Sequence, residues 1–364
     1  MSPHIDIPRL RLTNQNLTTP APHDAAEVVR RLGAVQAQDY AGAKWAIGMR
    51  AAGLTEADVE RALHEGSIIR THVLRPTWHM MAAEDARWIL ALTAPRVHAA
   101  NAHPYRATGV DEPLLRKASK TIEKALKGGK HLTRLELGAA LNKVGIETAS
   151  HPQRLAYFMM HAELNALICS GPRRGNQFTY ALFDERVPAS KTMTREESLA
   201  ELARRYFATR GPATVHDFSW WSGLTIADSK KAVAMLGSEL RSETIDEKTY
   251  WLSRDADVAE KTKNAVHLLP NYDEYFIGFK DRSAILYVVK GFSLIPGNPM
   301  FTAHVVSLDG LLIGGWKREL GAKTVNVSFD LVSKPAPAVR RAIVAATERY
   351  AKFLGLLADI SGHD

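Results

Sequence analysis

An α+β chain is what the sequence predicts, and three observations lead there. First, the order helix, capped helix, helix, β-hairpin occurs three times, clearly in the second and third sections and loosely in the first. That order is the winged-helix arrangement, in which the third helix or the wing usually faces DNA. Second, the character changes after His267-Leu268-Leu269-Pro270 to strand-like runs. Third, a long helical pattern from Ala336 to Leu354 closes the chain. The predicted architecture is three tandem winged-helix modules over residues 1–110, 111–190 and 191–260. An antiparallel, β-barrel-like domain with a terminal helix follows over 261–364.

In the first module, residues 7–17 form a short lead-in segment. Ala25, Val28, Val29 and Leu32 share one helical face after Asp24, and Gly33 closes that helix. A second helix is expected over Ala43–Ala52. Thr55 caps a third, which Gly66 ends. The β-rich runs 67–74 and 75–81, broken by Pro76, read as a hairpin. Two further helices are expected, Glu84–Thr93 and another around Pro95–Ala102.

The second module opens with a helix over Pro113–Lys127. A capping box at Thr133-Arg134-Leu135-Glu136 starts the next, and Gln153–Leu164 is the third. A hairpin over Ala166–Cys169 and Gln177–Leu182 follows. The third module repeats the scheme: a capping box at Thr194, helices starting at Thr214 and Thr225, and a hairpin over Leu240–Ile245 and Thr249–Leu252. In the last section, strands are expected at Ala284–Val289, Ala303–Leu308, Leu311–Trp316 and Thr324–Leu331, with Asp309-Gly310 as a tight turn.

Composition narrows the function. The chain has 364 residues and is 46% hydrophobic, enough for a sizeable core and about two to four domains. No run approaches the ~18 apolar residues that span a bilayer, and Met1–Asp6 does not read as a secretion signal. One cysteine, Cys169, allows no internal disulfide and no thiolate zinc site, which fits a reducing cytoplasm. There is no Walker loop, GxGxxG or HExxH. His98 and His103 are spaced wrongly for two ligands on one helical face, so no metal or cofactor is expected. The 47 basic residues exceed the 39 acidic ones, a net charge of +8 that suits a polyanionic partner such as nucleic acid.

Gln36-Ala37-Gln38 is the stretch with chemical promise. In extended chain, residues i and i+2 point to one side, so two uncharged carboxamides would meet one small volume and hold a water between them. Arg70-Thr71-His72-Val73-Leu74-Arg75-Pro76-Thr77-Trp78-His79 is dense in donors and aromatics. As a groove-facing ribbon, it would place Arg70 and Arg75 on phosphates and His79 beside the reacting sugar or base, with Thr77 and Trp78 at the DNA surface. Arg116, Lys117, Lys120, Lys124 and Lys127 form a helical stripe suited to phosphate tracking. Arg173 and Arg174, at the tip of the second wing, suit backbone or minor-groove contacts. Asp273 and Glu274 read as a structural loop, and Trp220-Trp221 as core.

With Gln36-Ala37-Gln38, Arg75-Pro76-Thr77-Trp78-His79 and the repeated wings, the chain resembles the AlkZ-like DNA glycosylases. The resemblance runs through Gly211-Pro212-Ala213-Thr214 to Gly223-Leu224, and through Leu268-Leu269-Pro270 to Asp281-Arg282. It implies three tandem winged-helix modules and a β-barrel-like domain around a concave DNA-binding channel. It also implies that Gln36 and Gln38 are catalytic. A sister branch carries aspartate at the second position, so Gln38 sides this chain with the Gln-x-Gln branch. Family members remove N-alkylated purines, and some unhook interstrand crosslinks.

The chemistry implied needs no carboxylate pair. Glycosidic cleavage passes through an oxocarbenium-like sugar, and an alkylated purine already carries the positive charge that lets it leave without an acid. Fixed amide dipoles that orient water and stabilise the sugar are then enough. Gln38 is expected to position the water and Gln36 to hold Gln38 or the sugar, with the reverse order open. Asp39 points away or caps the next helix. With no lysine beside the pair, simple hydrolysis to an abasic site is expected, without a Schiff base. The expected partner is alkylated or crosslinked double-stranded DNA, bound by a monomer in the cytoplasm at the nucleoid. The competing readings are a non-catalytic winged-helix transcriptional regulator and a small-molecule sequestering protein.

Overall fold

The computed structural model describes residues 5–21, 24–148, 152–190, 192–256, 263–286 and 304–359. The lead-in segment is a helix, α1 (Ile7–Asn14), capped by Asp6. After it come α2 (Ala25–Leu32), β1 (Val35–Gln36), α3 (Tyr40–Gly48), α4 (Glu56–Glu65), β2 (Ile68–Val73) and β3 (Thr77–Ala82). The three strands form one sheet in the order β1-β3-β2. Helix α2 starts on the Asp24 side chain and stops at Gly33, whose φ of 77° opens the turn into β1.

The two helices expected on either side of Pro95 are one, α5 (Ala83–Ala107), which runs through Pro95 and Pro104. A proline inside a helix frees the carbonyl four residues back. Here Ala91 and Pro95 both lie on the exposed side, while Leu90, Leu92, Thr93 and Val97 are buried. Packing therefore outweighs the missing hydrogen bond.

The scheme then recurs. Helix α6 (Glu112–Leu126), β4 (Leu132–Thr133), α7 (Arg134–Lys143), α8 (Pro152–Leu164), β5 (Ile168–Ser170) and β6 (Thr179–Leu182) carry a sheet ordered β4-β6-β5, followed by a short α9 (Phe183–Arg186). Next come α10 (Arg195–Arg210), α11 (Val215–Ser222), α12 (Ile226–Leu236), β7 (Leu240–Ile245) and β8 (Lys248–Ser253). There a single bridge, Ala213↔Trp251, stands where the first two units have a short strand. Capping boxes at Thr55, Thr133, Thr194 and Thr214 start helices in all three units.

The last section holds β9 (Val266–Leu269), α13 (Glu274–Ile277), β10 (His304–Leu308), β11 (Leu311–Leu320), β12 (Thr324–Leu331), α14 (Pro337–Leu354) and β13 (Leu357–Asp359). The five strands order as β13-β12-β11-β10-β9 in a curled half-barrel. The β12–β13 pair is parallel, a departure from the antiparallel expectation. Asp309 and Gly310, at φ 49° and 89°, make the expected tight turn between β10 and β11. The strand expected from Ala284 is a 3₁₀ turn over Ser283–Ile285, and 287–303 lie outside the described residues.

One hydrophobic core runs through the first unit, the third unit and the half-barrel, while α6, α7 and α8 share a second with the C-terminal half of α5. Two buried ion pairs lock the larger core: Arg50 Nη2 to Asp273 Oδ1 at 2.8 Å, and Arg210 Nη2 to Glu274 Oε2 at 2.7 Å. Both acids belong to the loop and helix after β9. The half-barrel is thereby fastened against the first unit at the level of β1.

Candidate active site and nucleic-acid interface

Strand β1 has only two residues, and it pairs β3 with Gln36 opposite His79. Three hydrogen bonds fix the backbone that follows. Gln36 N–H donates to Glu274 Oε1 at 2.8 Å, Ala37 N–H donates to the Trp78 carbonyl at 2.7 Å, and the Ala37 carbonyl accepts from Arg70 Nε at 3.1 Å. Asp39 then caps α3 through the Gly42 N–H at 3.0 Å. The sequence places two equivalent amides side by side; the structure makes them unequal. Strand geometry ends at Gln36, which is 6% exposed, and its Oε1 accepts from Arg75 Nη2 at 2.8 Å. Gln38 sits in a bend, exposed, and donates to and accepts from no described residue.

Arg75 belongs to the turn between β2 and β3. The turn places Leu74 at φ 62°, and the end of α11 packs on it. Gly223 closes α11 at φ 71°, and a Cβ there would stand 2.1 Å from the Leu74 carbonyl oxygen, so only glycine allows this approach. The contact brings Trp220 to Arg75, with the guanidinium 5.4 Å from the ring centroid. Arg75 is thus half-buried and turned toward Gln36 and Trp220.

Two residues set aside on sequence grounds belong to this site. Trp220 is 41% exposed, whereas Trp221 is buried, so the pair is only half core. Glu274 is a fully buried carboxylate in α13. It accepts from the Gln36 N–H, from Arg210 Nε and Nη2, and from Trp221 Nε1 at 2.9 Å. A saturated carboxylate of this kind orients its neighbours and is not available as a base. A charged residue flanked by Tyr272, Tyr275 and Phe276 was the available signal for it, because a charge among aromatics must be paired once buried.

His79 requires a correction. Its ring is 0% exposed and does not face a substrate. Nδ1 lies 3.0 Å from the Thr77 carbonyl, which can only accept, so Nδ1 carries the hydrogen and Nε2 is a lone-pair acceptor. Burial, reinforced by the Arg75 charge, pushes its pKa down to about 3, and the ring is neutral at physiological pH. Thr77 is half-buried beside it. Trp78 is also half-buried; its ring packs tilted against His72 with centroids 4.5 Å apart, and the Arg70 guanidinium lies over it at 4.4 Å.

Arg70 lies between Trp78 and Phe178 and makes no ion pair with a described residue. It lines a cleft of about 530 Å³ together with Tyr40, Glu60, Leu63, Arg173 and Phe178. Arg173 does not extend outward from the wing. Its Nη1 donates to Glu60 Oε1 at 3.1 Å, and its guanidinium lies 5.2 Å and 5.3 Å from the ring centroids of Tyr40 and Phe178. Arg174 is exposed, bonded to Glu136 and to the His131 carbonyl. On α6, Lys117, Lys120 and Lys124 are all exposed; Lys117 reaches the Val144 carbonyl at 2.7 Å, and Lys127 lies just beyond the helix. Among the described residues no cluster of three metal-ligating side chains occurs, and no helix is long and apolar enough to cross a membrane.

The chain as a whole has counterparts among known proteins. A family model described as DNA glycosylase AlkZ-like matches residues 29–353. The class of protein is therefore a DNA glycosylase. The chain belongs to the AlkZ-like family. It is 25% identical over 363 residues to an interstrand DNA cross-link repair glycosylase of Streptomyces sahachiroi, a match spanning 96% of this chain and 95% of the relative. The solved structure of Streptomyces sahachiroi DNA glycosylase AlkZ has the same fold, with a TM-score of 0.77 at 23% identity, covering 97% of this chain and 98% of that one.

Proposed function

We propose that this glycosylase hydrolyses the N-glycosidic bond of cationic N-alkylated purines in double-stranded DNA, including purines joined in interstrand crosslinks. The observation that carries this reading is the inequality of the two glutamines. One carboxamide is anchored, and the other projects into solvent from a backbone pinned on both sides. Gln38 holds the water, and Gln36 is the fixed member that sets where it sits. The water oxygen bonds to C1′ of the deoxyribose, and the electrons of the C1′–N bond leave with the base. The base departs neutral and the water's proton passes to solvent. No acid is needed, because the leaving group supplies the positive charge itself.

Lys44, the nearest lysine in sequence, supports hydrolysis over Schiff-base chemistry. Its ammonium lies 2.6 Å from both Glu56 and Glu60 and is nearly buried, so its nitrogen is held by two carboxylates and is not presented as a free nucleophile. We read the three recurring units as tandem winged-helix modules. In this reading Arg70, Thr77 and Trp78 meet the lesion-bearing strand, while Lys117, Lys120, Lys124 and Arg174 neutralise phosphates further along the duplex.

The experiment is release of alkylated base from methylated and mustard-crosslinked duplexes, scored as abasic sites. Gln38→Ala is expected to lose about 100-fold in rate, the scale on which one preorganised dipole acts. If the Gln36→Ala/Gln38→Ala double variant cleaves as well as the parent, the assignment is wrong.

A further inference from the structure

We propose that Arg75 is a positioning residue: it fixes the orientation of the Gln36 carboxamide so that Gln36 presents its N–H donors, and Gln38 its carbonyl, to the attacking water. This inference rests on the glutamine-pair reading above and adds which end of each amide does the work.

A guanidinium carries five donors and no acceptor. The Gln36 atom 2.8 Å from Arg75 Nη2 is therefore the carbonyl oxygen, and the NH₂ group occupies the opposite end. A primary amide that is free to flip offers either end to a ligand; this one does not. The charge on Arg75 also polarises the Gln36 amide and strengthens its remaining donors.

Arg75 is itself held. Its guanidinium lies over the Trp220 ring, 5.4 Å from the centroid, and its turn is clamped by the approach of Gly223 to Leu74. No carboxylate of a described residue lies within ion-pair reach of it, and its Nε is buried without a partner. The Gln36 oxygen is thus the acceptor this cation has found, and swinging out toward a phosphate would strip the amide of its anchor. The Gln36 backbone is fixed independently through Glu274, so both main chain and side chain have one orientation.

A water between the two amides then has defined partners. Its oxygen accepts from a Gln36 N–H, one of its hydrogens goes to the Gln38 carbonyl, and a lone pair remains for C1′. Positioning of this kind acts on the rate and not on affinity, and a misplacement of about 1 Å costs about 100-fold.

The test separates this role from a phosphate contact. Arg75→Met and Gln36→Glu are assayed beside the parent for single-turnover base release from N7-methylpurine duplex, and for Kd on undamaged duplex as a function of salt. Gln36→Glu keeps an oxygen for Arg75 but has no N–H to offer. The expectation is that both variants lose about 100-fold in rate, while Kd stays within about threefold and its salt slope is unchanged. Arg75→Lys, which keeps one donor at the same place, is expected to regain part of the rate. Parent-like rates in Gln36→Glu or Arg75→Met overturn the proposal. So does a weaker Kd with a shallower salt slope in Arg75→Met, which would mark a phosphate ligand. Should the double glutamine-to-alanine variant be inactive while Arg75→Met is active, this inference fails and the glutamine assignment stands.

Discussion

Glu274 Oε1 accepts the backbone N–H of Gln36 at 2.8 Å, across a separation of 238 residues. Its other oxygen accepts from Arg210 and Trp221. The acid and Arg210 are both 0% exposed, so each depends on the other for its charge to be tolerated. Glu274→Ala is expected to destabilise the protein by about 3–5 kcal/mol, the range for breaking a buried pair. Glu274→Gln should cost less, because an amide oxygen can still accept from Arg210. Urea melts of both variants, compared with single-turnover rates below the melting region, check this. A Glu274→Ala protein as stable as the parent would show that the pair does not carry the junction.

The lysines of α6 are expected to act on binding alone. They are exposed and lie on a unit with its own core, outside the one that holds Gln36. Replacing Lys117, Lys120 and Lys124 together by alanine should weaken duplex binding equally across sequences and lower the slope of log K against log salt by about 3. The rate at saturating enzyme should be unchanged. Filter binding between low and moderate salt measures the slope, and an unaltered slope would remove α6 from the interface.

Acid should unfold this protein early, through its buried histidines. Burial lowers His79 to about 3 and His267 to about 4, against the ordinary value of 6.5. Between pH 6.5 and those values the unfolded chain binds a proton at each ring and the native chain does not. Stability therefore rises with pH across that window and is lost as pH falls, with a slope of about one proton per histidine. Above pH 6.5 neither state is protonated and these groups contribute no slope. Urea melts from pH 7 to pH 4 test the sign, and His79→Asn should flatten the curve by about one proton.

Much of the fold was legible because the signals are local. Thr133 with Glu136, and Thr194 with Glu197, are three residues apart, and each pair starts a helix in the sequence and in the structure alike. Asp309-Gly310 specifies its turn through φ alone. The two helices expected over 84–102 are one, because burial along one face of α5 outweighs the local penalty at Pro95. At the site, the sequence drew attention to Gln36, Gln38, Arg70 and Arg75, which the fold gathers around one short strand. It gave no reason to connect Trp220 or Glu274 to that strand, since each arrives from a distant section.

By itself, then, the sequence determined where helices start, where the sharp turn falls between β10 and β11, and that two neutral amides stand one residue apart beside a ribbon rich in arginine. Only the tertiary structure decided that Gln36 is anchored and Gln38 is free, that Arg75 and Arg173 turn inward, and that His79 is sealed away. The reason is physical. A cap or a tight turn is satisfied by residues three or four positions away, whereas a buried charge or amide takes whichever partner the packed core brings to it, and that partner leaves no mark in the neighbouring sequence.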